Sequence, residues 1–189
     1  GVQVPWPGGI AVYASPQMTG FSLKTILAAS ATMGRTLSGL NAGAEGRFDW
    51  ANSVTVQLSH GTLTSSDDLN VFGGLNAAAI ETTTGSWEVM QFLTATLVGA
   101  STYQLSGLLR GQAGTSGAIA QTLAPGARFV LLDGAVQAAG IGFDQVGLPY
   151  NWRYGPSNRG IGDSSYVTQT HAFAGIGLRP YSLVHVRGQ

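Results

Sequence analysis

The sequence predicts an all-β chain, a mainly antiparallel sandwich or barrel-like module with long glycine-rich loops. Two observations predict it. Apolar residues recur with a period of two in several short runs, and 28 glycines with 7 prolines punctuate those runs with turns. A third concerns charge: 44% of the residues are hydrophobic and only 10% charged, against about 25% charged in typical soluble domains. Such a chain has the apolar content to fold, because disorder requires the opposite balance. At 189 residues it is long enough to bury roughly 70% of its unfolded surface.

Taken in order, Ile10–Ala14 reads as the first strand, with Trp6 between two prolines anchoring its approach. Phe21–Ser30 is open: Leu23, Ile26, Leu27 and Ser30 fit a helical face, while the neighbouring Thr, Ser and Gly fit a strand. Trp50, after Arg47-Phe48-Asp49, is expected to plug the core. In Val54–His60 the residues Val54, Val56 and Leu58 alternate with Thr55, Gln57 and Ser59, the pattern of a strand with one buried face.

Trp87–Val98 is apolar on both faces, with Trp87, Val89, Leu93, Ala95 and Leu97 on one and Met90 and Phe92 on the other; it reads as a central strand. Tyr103, Leu105 and Leu109 repeat the alternation, and Gly99–Ser101 is short enough for a hairpin turn between the two runs. Arg128–Leu132, Val167–Phe173 and Leu183–Arg187 read as further strands, with a short one at Asn151–Tyr154. Gly111–Gly126 and Val136–Ser165 read as loops. The chain is read as one module, 1–189, or as two subdomains, 1–120 and 121–189.

Charge and composition exclude several classes. Nine basic and nine acidic residues cancel, so no basic face supports nucleic-acid binding. Cysteine is absent, which removes disulfides and thiolate metal sites. No run approaches the roughly 18 apolar residues of a membrane-spanning helix. His60, His171 and His185 form no HxH or HExxH spacing, so no metal and no cofactor are expected.

Catalytic patterns are equally thin, and no enzyme is expected. Gly162-Asp163-Ser164-Ser165 is similar to the first block of GDS-type esterases, but no apolar strand precedes it and no later aspartate follows to orient a histidine. Asp67 and Asp68 are adjacent, which leaves both solvated in a turn rather than opposed across a substrate. Glu81 and Glu88 converge only if the Thr82–Ser86 loop folds back.

Two groups of residues remain as sites. Arg110 sits between a strand and glycines, where its guanidinium can bind carbonyls or a carboxylate and fix the Gly111–Thr115 loop; Gly111 and Gly114 are expected at φ > 0. Tyr150, Trp152 and Tyr154 fall at i, i+2 and i+4 and share one strand face. With Asp163 they form the candidate surface for stacking a host glycan, against the reading in which the same stripe is core or protein interface.

One resemblance spans nearly the whole chain. The ordered blocks are PWPGGIAVYAS (Pro5–Ser15), GRTL (Gly34–Leu37), NAAAI (Asn76–Ile80), WEVMQFLTATLVGASTYQLSGLLRGQAGT (Trp87–Thr115), PGARFVLLDG (Pro125–Gly134) and THAFAGIGLRPYSLVHVRG (Thr170–Gly188). Together they resemble the β-rich segment of the large "megatron"-type tail-tip or baseplate hub protein of gene transfer agents and related tailed phages. The resemblance implies a piece of a longer virion protein, located at the tail tip and assembled in the bacterial cytoplasm. It implies other tail proteins as partners, a trimer about the tail axis in the full assembly, and a monomer as an alternative for the isolated module. It brings no catalytic motif. A receptor- or carbohydrate-binding module at the distal tip is the alternative function.

Overall fold

The computed structural model of the chain describes residues 8–82, 86–120 and 122–176. In chain order its strands are β1 (Ile10–Ser15), β2 (Ser22–Leu27), β3 (Met33–Thr36), β4 (Leu40–Asn41), β5 (Val54–His60), β6 (Ala77–Glu81), β7 (Trp87–Gly99), β8 (Thr102–Gln112), β9 (Thr122–Leu123), β10 (Arg128–Leu131), β11 (Pro149–Pro156) and β12 (Val167–Ala172), with a short α-helix, α1 (Asp68–Phe72), between β5 and β6 and single 3-10 turns at Ser116–Ala118 and Phe143–Gln145. The all-β expectation holds. The open segment at Phe21–Ser30 is a strand, β2. Trp6 and Leu183–Arg187 lie outside the described residues. None of the described helices is long and apolar enough to cross a membrane.

The described residues form two compact units, one built from the chain up to Ala31 together with Asp133–Gly175, the other from Thr32–Leu132. The second is a closed antiparallel barrel in the order β10-β3-β5-β8-β7-β6. Closure removes every open edge from the ladder. Its interior is the core read from the period-two pattern: Val54, Val56 and Leu58 of β5, Ala78 and Ile80 of β6, Met90 and Phe92 of β7, and Phe129 of β10 are all buried together. Leu40 and Leu123, from the β4–β9 pair, join the same core.

The alternation along β7 and β8 breaks midway. Leu105 and Leu108, three residues apart, both enter the barrel core, while Leu109 joins a separate cluster with Val71 and Leu93. The expectation that Tyr103, Leu105 and Leu109 share a face, and that Leu93 and Ala95 do, is therefore corrected. The cause is Gly107, whose φ of +62° interrupts the pleat. Both strands change face there together, since Phe92 pairs with Leu108 and Ala95 with Leu105. The outer cluster that results is roofed by α1 through Val71 and by Phe48.

The helix α1 itself is set by its cap. Asp67 accepts from the backbone N–H of Asn70 at 2.8 Å and from the Asn70 amide at 2.7 Å, the usual N-cap arrangement. That hydrogen bonding holds the Asp67 carboxyl below its ordinary range. Read as turn residues in the sequence, Asp67 and Asp68 open a helix instead.

The first unit is a four-stranded antiparallel sheet, β12-β11-β1-β2. Its two central strands come from opposite ends of the sequence, Ile10 pairing with Pro156 and Ser15 with Asn151. Tyr166 covers Gly155: a Cβ on that glycine would lie 2.6 Å from the tyrosine ring. The Tyr166 hydroxyl donates toward the carbonyls of Pro156 and Arg159 at 3.0 and 3.2 Å.

Candidate functional site

The most elaborate polar construction in the barrel surrounds Arg110. The β7–β8 register shifts between Val89 and Gln91, and this irregularity lies opposite Arg110, where such bulges re-aim a side chain. Its guanidinium meets Glu88 in a fork: Nε donates to Oε1 at 2.6 Å and Nη2 to Oε2 at 2.8 Å. The two side chains are 1% and 3% exposed. The third nitrogen, Nη1, donates to the carbonyl of Asn41 at 2.8 Å.

The pair also organises what lies around it. Glu88 Oε1 accepts from the Gly111 N–H at 3.2 Å, tying the loop after β8 to the carboxylate. Gly111 and Gly114 have φ of +64° and +76°, and the Gly111 backbone passes close to Ser116. Thr115 completes the loop: its hydroxyl accepts from the Val89 N–H at 2.9 Å and donates to the Gln112 carbonyl at 2.6 Å.

On the other side, the segment after β4 is laced over β8. Glu45 bridges Arg110 in parallel and Asp49 bridges Leu108 antiparallel. Asp49, 4% exposed, accepts from the N–H groups of Ala51 and Asn52 at 3.0 and 3.1 Å. Gly43 is where these groups meet, since a Cβ there would stand 2.0 Å from Asp49 Oδ2 and 3.2 Å from Arg110 Nη1.

Glu81 and Glu88 are each engaged by an arginine. Glu81 binds Arg128 through two contacts, 2.7 and 2.6 Å, and the Arg128 guanidinium lies 5.1 Å above the Trp87 ring. This hydrogen-bonded pairing lowers the Glu81 carboxyl and raises Arg128. Both carboxylates therefore act here as ion-pair partners.

The stripe on β11 is not an open platform. Trp152 is 8% exposed and meets Phe173 edge-on at 5.4 Å, so its faces are taken by protein. Tyr150 is half-buried, its hydroxyl accepting from the Gln145 amide at 3.1 Å, and Tyr154 is half-buried as well. Asp163 closes a tight turn in which Ser165 donates to it through N–H at 2.9 Å and Oγ at 2.7 Å. Those bonds hold its carboxyl below the ordinary range. A shallow, open depression beside it is lined by Pro156, Asn158, Arg159, Asp163, Ser164 and Ser165. Its Asp163 is engaged by Ser165, and neither of those contacts includes a histidine. Among the described residues no cluster of His, Asp and Glu is arranged to hold a metal.

The aromatic residue that is open lies elsewhere. Trp50, expected in the core, is 69% exposed; its position is corrected by the buried Asp49 turn, which sends the next side chain outward over Gly107. Phe48 stands between Trp50 at 5.8 Å and Phe72 at 5.1 Å, and Phe72 is 65% exposed. The alternation Phe48-x-Trp50 was visible in the sequence, but not which side the buried aspartate would occupy.

Residues 31–130 fit the family model described as Rcc01698-like, C-terminal. No curated protein matches the chain.

Proposed function

The chain belongs to the Rcc01698-like, C-terminal family, and from that premise we propose that it is a structural module of a phage-like tail tip or baseplate hub, of the kind found in gene transfer agents and related tailed phages. The observation that carries the proposal is that the family segment coincides with one structural unit. The family segment, 31–130, is also the barrel unit Thr32–Leu132. The resembling blocks GRTL, NAAAI, WEVMQF, LSGLLRG and FVLLDG fall on β3, β6, β7, β8 and β10 of that barrel. The family segment is thus one scaffold with its own core, braced by the buried pair of Arg110 and Glu88.

On this reading the module works without catalysis, in contact with other tail proteins and with further copies of itself. Its sparse charge suits that role, because depleted charge marks the centres of protein interfaces. Purified particles provide the test. Antibody raised against the barrel should label the tail end, and particles assembled without the barrel segment should lack a complete tip; normal tails without it contradict the proposal.

A second reading, recognition of a host surface glycan, is favoured by the exposed rings of Trp50 and Phe72, since flat open aromatics stack on sugar rings. It replaces the Tyr150, Trp152 and Tyr154 surface as the place to look. Glycan binding lost in Trp50→Ala and kept in Trp152→Ala would support it.

A further inference from the structure

Beside α1 the outside of the barrel displays large apolar side chains to solvent. Leu69, Phe72 and Trp50 are 79%, 65% and 69% exposed. They form one group: Phe48 touches both Trp50 and Phe72, and Leu69 and Phe72 stand three residues apart on α1, where side chains are neighbours. Single exposed apolar residues are ordinary, whereas a contiguous group marks a surface that meets something else.

The group is also held in place. Phe48 packs on the outer cluster of Val71, Leu93 and Leu109. Asp49, between the two aromatic residues, exchanges backbone hydrogen bonds with Leu108 at 2.7 and 3.1 Å. The Gln91 amide donates to the carbonyl of Val71 and, at 2.9 Å, to that of Leu75, which pins α1 and the turn after it. Side chains fixed in this way lose little freedom when they are covered.

The charges around the group decide which occupant fits. Exposed Asp67 and Asp68 open α1, and Asp68 stands one turn from Phe72; exposed Glu45 and Arg47 precede Phe48. Three carboxylates therefore accompany one guanidinium. A second copy of the same patch would leave carboxylates facing carboxylates, which disfavours a two-fold pair. A sugar is matched poorly as well. The rings of Trp50 and Phe72 tilt by 48° and 47° to Phe48 instead of forming one flat platform, and the Asn52 and Asn70 amides are bound to Asp49 and Asp67 at 2.7 Å each. What complements the patch is an apolar protein surface bordered by lysine or arginine.

We infer that Phe48, Trp50, Leu69 and Phe72 form a docking surface for a partner protein that presents apolar side chains flanked by Lys or Arg. This surface is independent of the tail-tip assignment, since it follows from the chemistry of the patch.

Two synthetic amphipathic helical peptides test it, sharing one face of leucine and phenylalanine and carrying either lysine or glutamate beside that face. Binding to the purified full chain is followed by tryptophan emission and by calorimetry. The lysine peptide should bind at least about tenfold tighter than the glutamate peptide at low ionic strength, with the gap closing as salt is added. Leu69→Ser with Phe72→Ser should abolish its binding, and Asp68→Lys should cut the preference at least about threefold. Phe143→Ser, at an exposed apolar residue of the other unit, should leave both unchanged. The substituted side chains are exposed, so the variants should keep the fold, with circular dichroism as the check. No binding of the lysine peptide, equal binding of the two peptides, or binding indifferent to the serines would overturn the inference. So would a concentration-dependent dimer lost in the serine variant, which assigns the patch to a second copy, or glycan binding lost in Trp50→Ala, which assigns it to a sugar.

Discussion

Arg110 and Glu88 form a bidentate ion pair on the core side of the barrel, with Nε–Oε1 at 2.6 Å and Nη2–Oε2 at 2.8 Å. Neighbouring strands carry the two groups, and Nη1 reaches a third segment through the Asn41 carbonyl. The pair thus ties β7, β8 and β4 at one point. A buried pair of this kind adds less net stability than its geometry implies, because both charges were taken from water. What it does enforce is arrangement, since neither partner tolerates loss of the other.

Arg110→Ala should therefore destabilise the chain by about 3–5 kcal/mol, the usual cost of stranding one buried charge. Replacing both partners with apolar residues of similar volume should cost much less. Urea unfolding of the two single variants and the double variant gives the coupling directly; additive losses would show that the pair does not act as a unit.

Gly107→Ala should cost at least about 1–2 kcal/mol from the left-handed backbone alone, because φ there is +62°. The added methyl would also approach Leu93 at 2.9 Å and the Trp50 ring at 3.1 Å. Thermal unfolding should report the loss, and tryptophan emission should shift as Trp50 moves; no change in either contradicts the role given to this glycine.

Acid should weaken the fold through Glu81. Its folded carboxyl is depressed by Arg128 below the ordinary 4.5, so the folded state binds that proton less readily than the unfolded chain. The pair's contribution is present above pH 4.5 and lost as pH falls through the lower folded value. Melting temperature against pH, measured for the native chain and for Glu81→Gln, should show a shallower acid limb in the variant. The difference should shrink in high salt, because the arginine side chain is 56% exposed.

Alkali should act on Tyr166 in the opposite direction. Burial, with Tyr13 alongside, raises its hydroxyl above the ordinary 10.0. Stability from the neutral phenol is complete below pH 10 and lost as pH rises through the folded value. Tyr166→Phe should cost about 1 kcal/mol at neutral pH for the lost hydrogen bonds and flatten the alkaline limb.

Much of the barrel was legible from alternation alone. β5 begins and ends at the residues that alternation marks, Val54 and His60, since Val54, Val56 and Leu58 face the core in turn with the residues between them. β7 and β8 were legible as strands but not in which residues share a face, because a glycine that reverses the pleat leaves no trace in hydropathy. α1 was hidden for a different reason: five residues are too few to show a helical period, and only the Asp67 cap marks it. The pairing of β1 with β11 joins residues some 140 positions apart, as Ile10 and Pro156, and no local pattern encodes a partner that distant. Around the candidate site, Arg110 with its glycines stood out because a charged residue among apolar ones must find a partner. Glu88 as that partner did not, because it depends on the register between strands. Trp50 was misread for want of the same information, the direction imposed by Asp49.

The most direct measurement is labelling of intact particles with gold-tagged antibody fragments against the barrel, imaged by electron microscopy. Gold confined to the distal end of the tail is the predicted result. Gold on the head or along the shaft, or none on particles shown to contain the chain in an accessible form, would contradict the assignment to the tail tip.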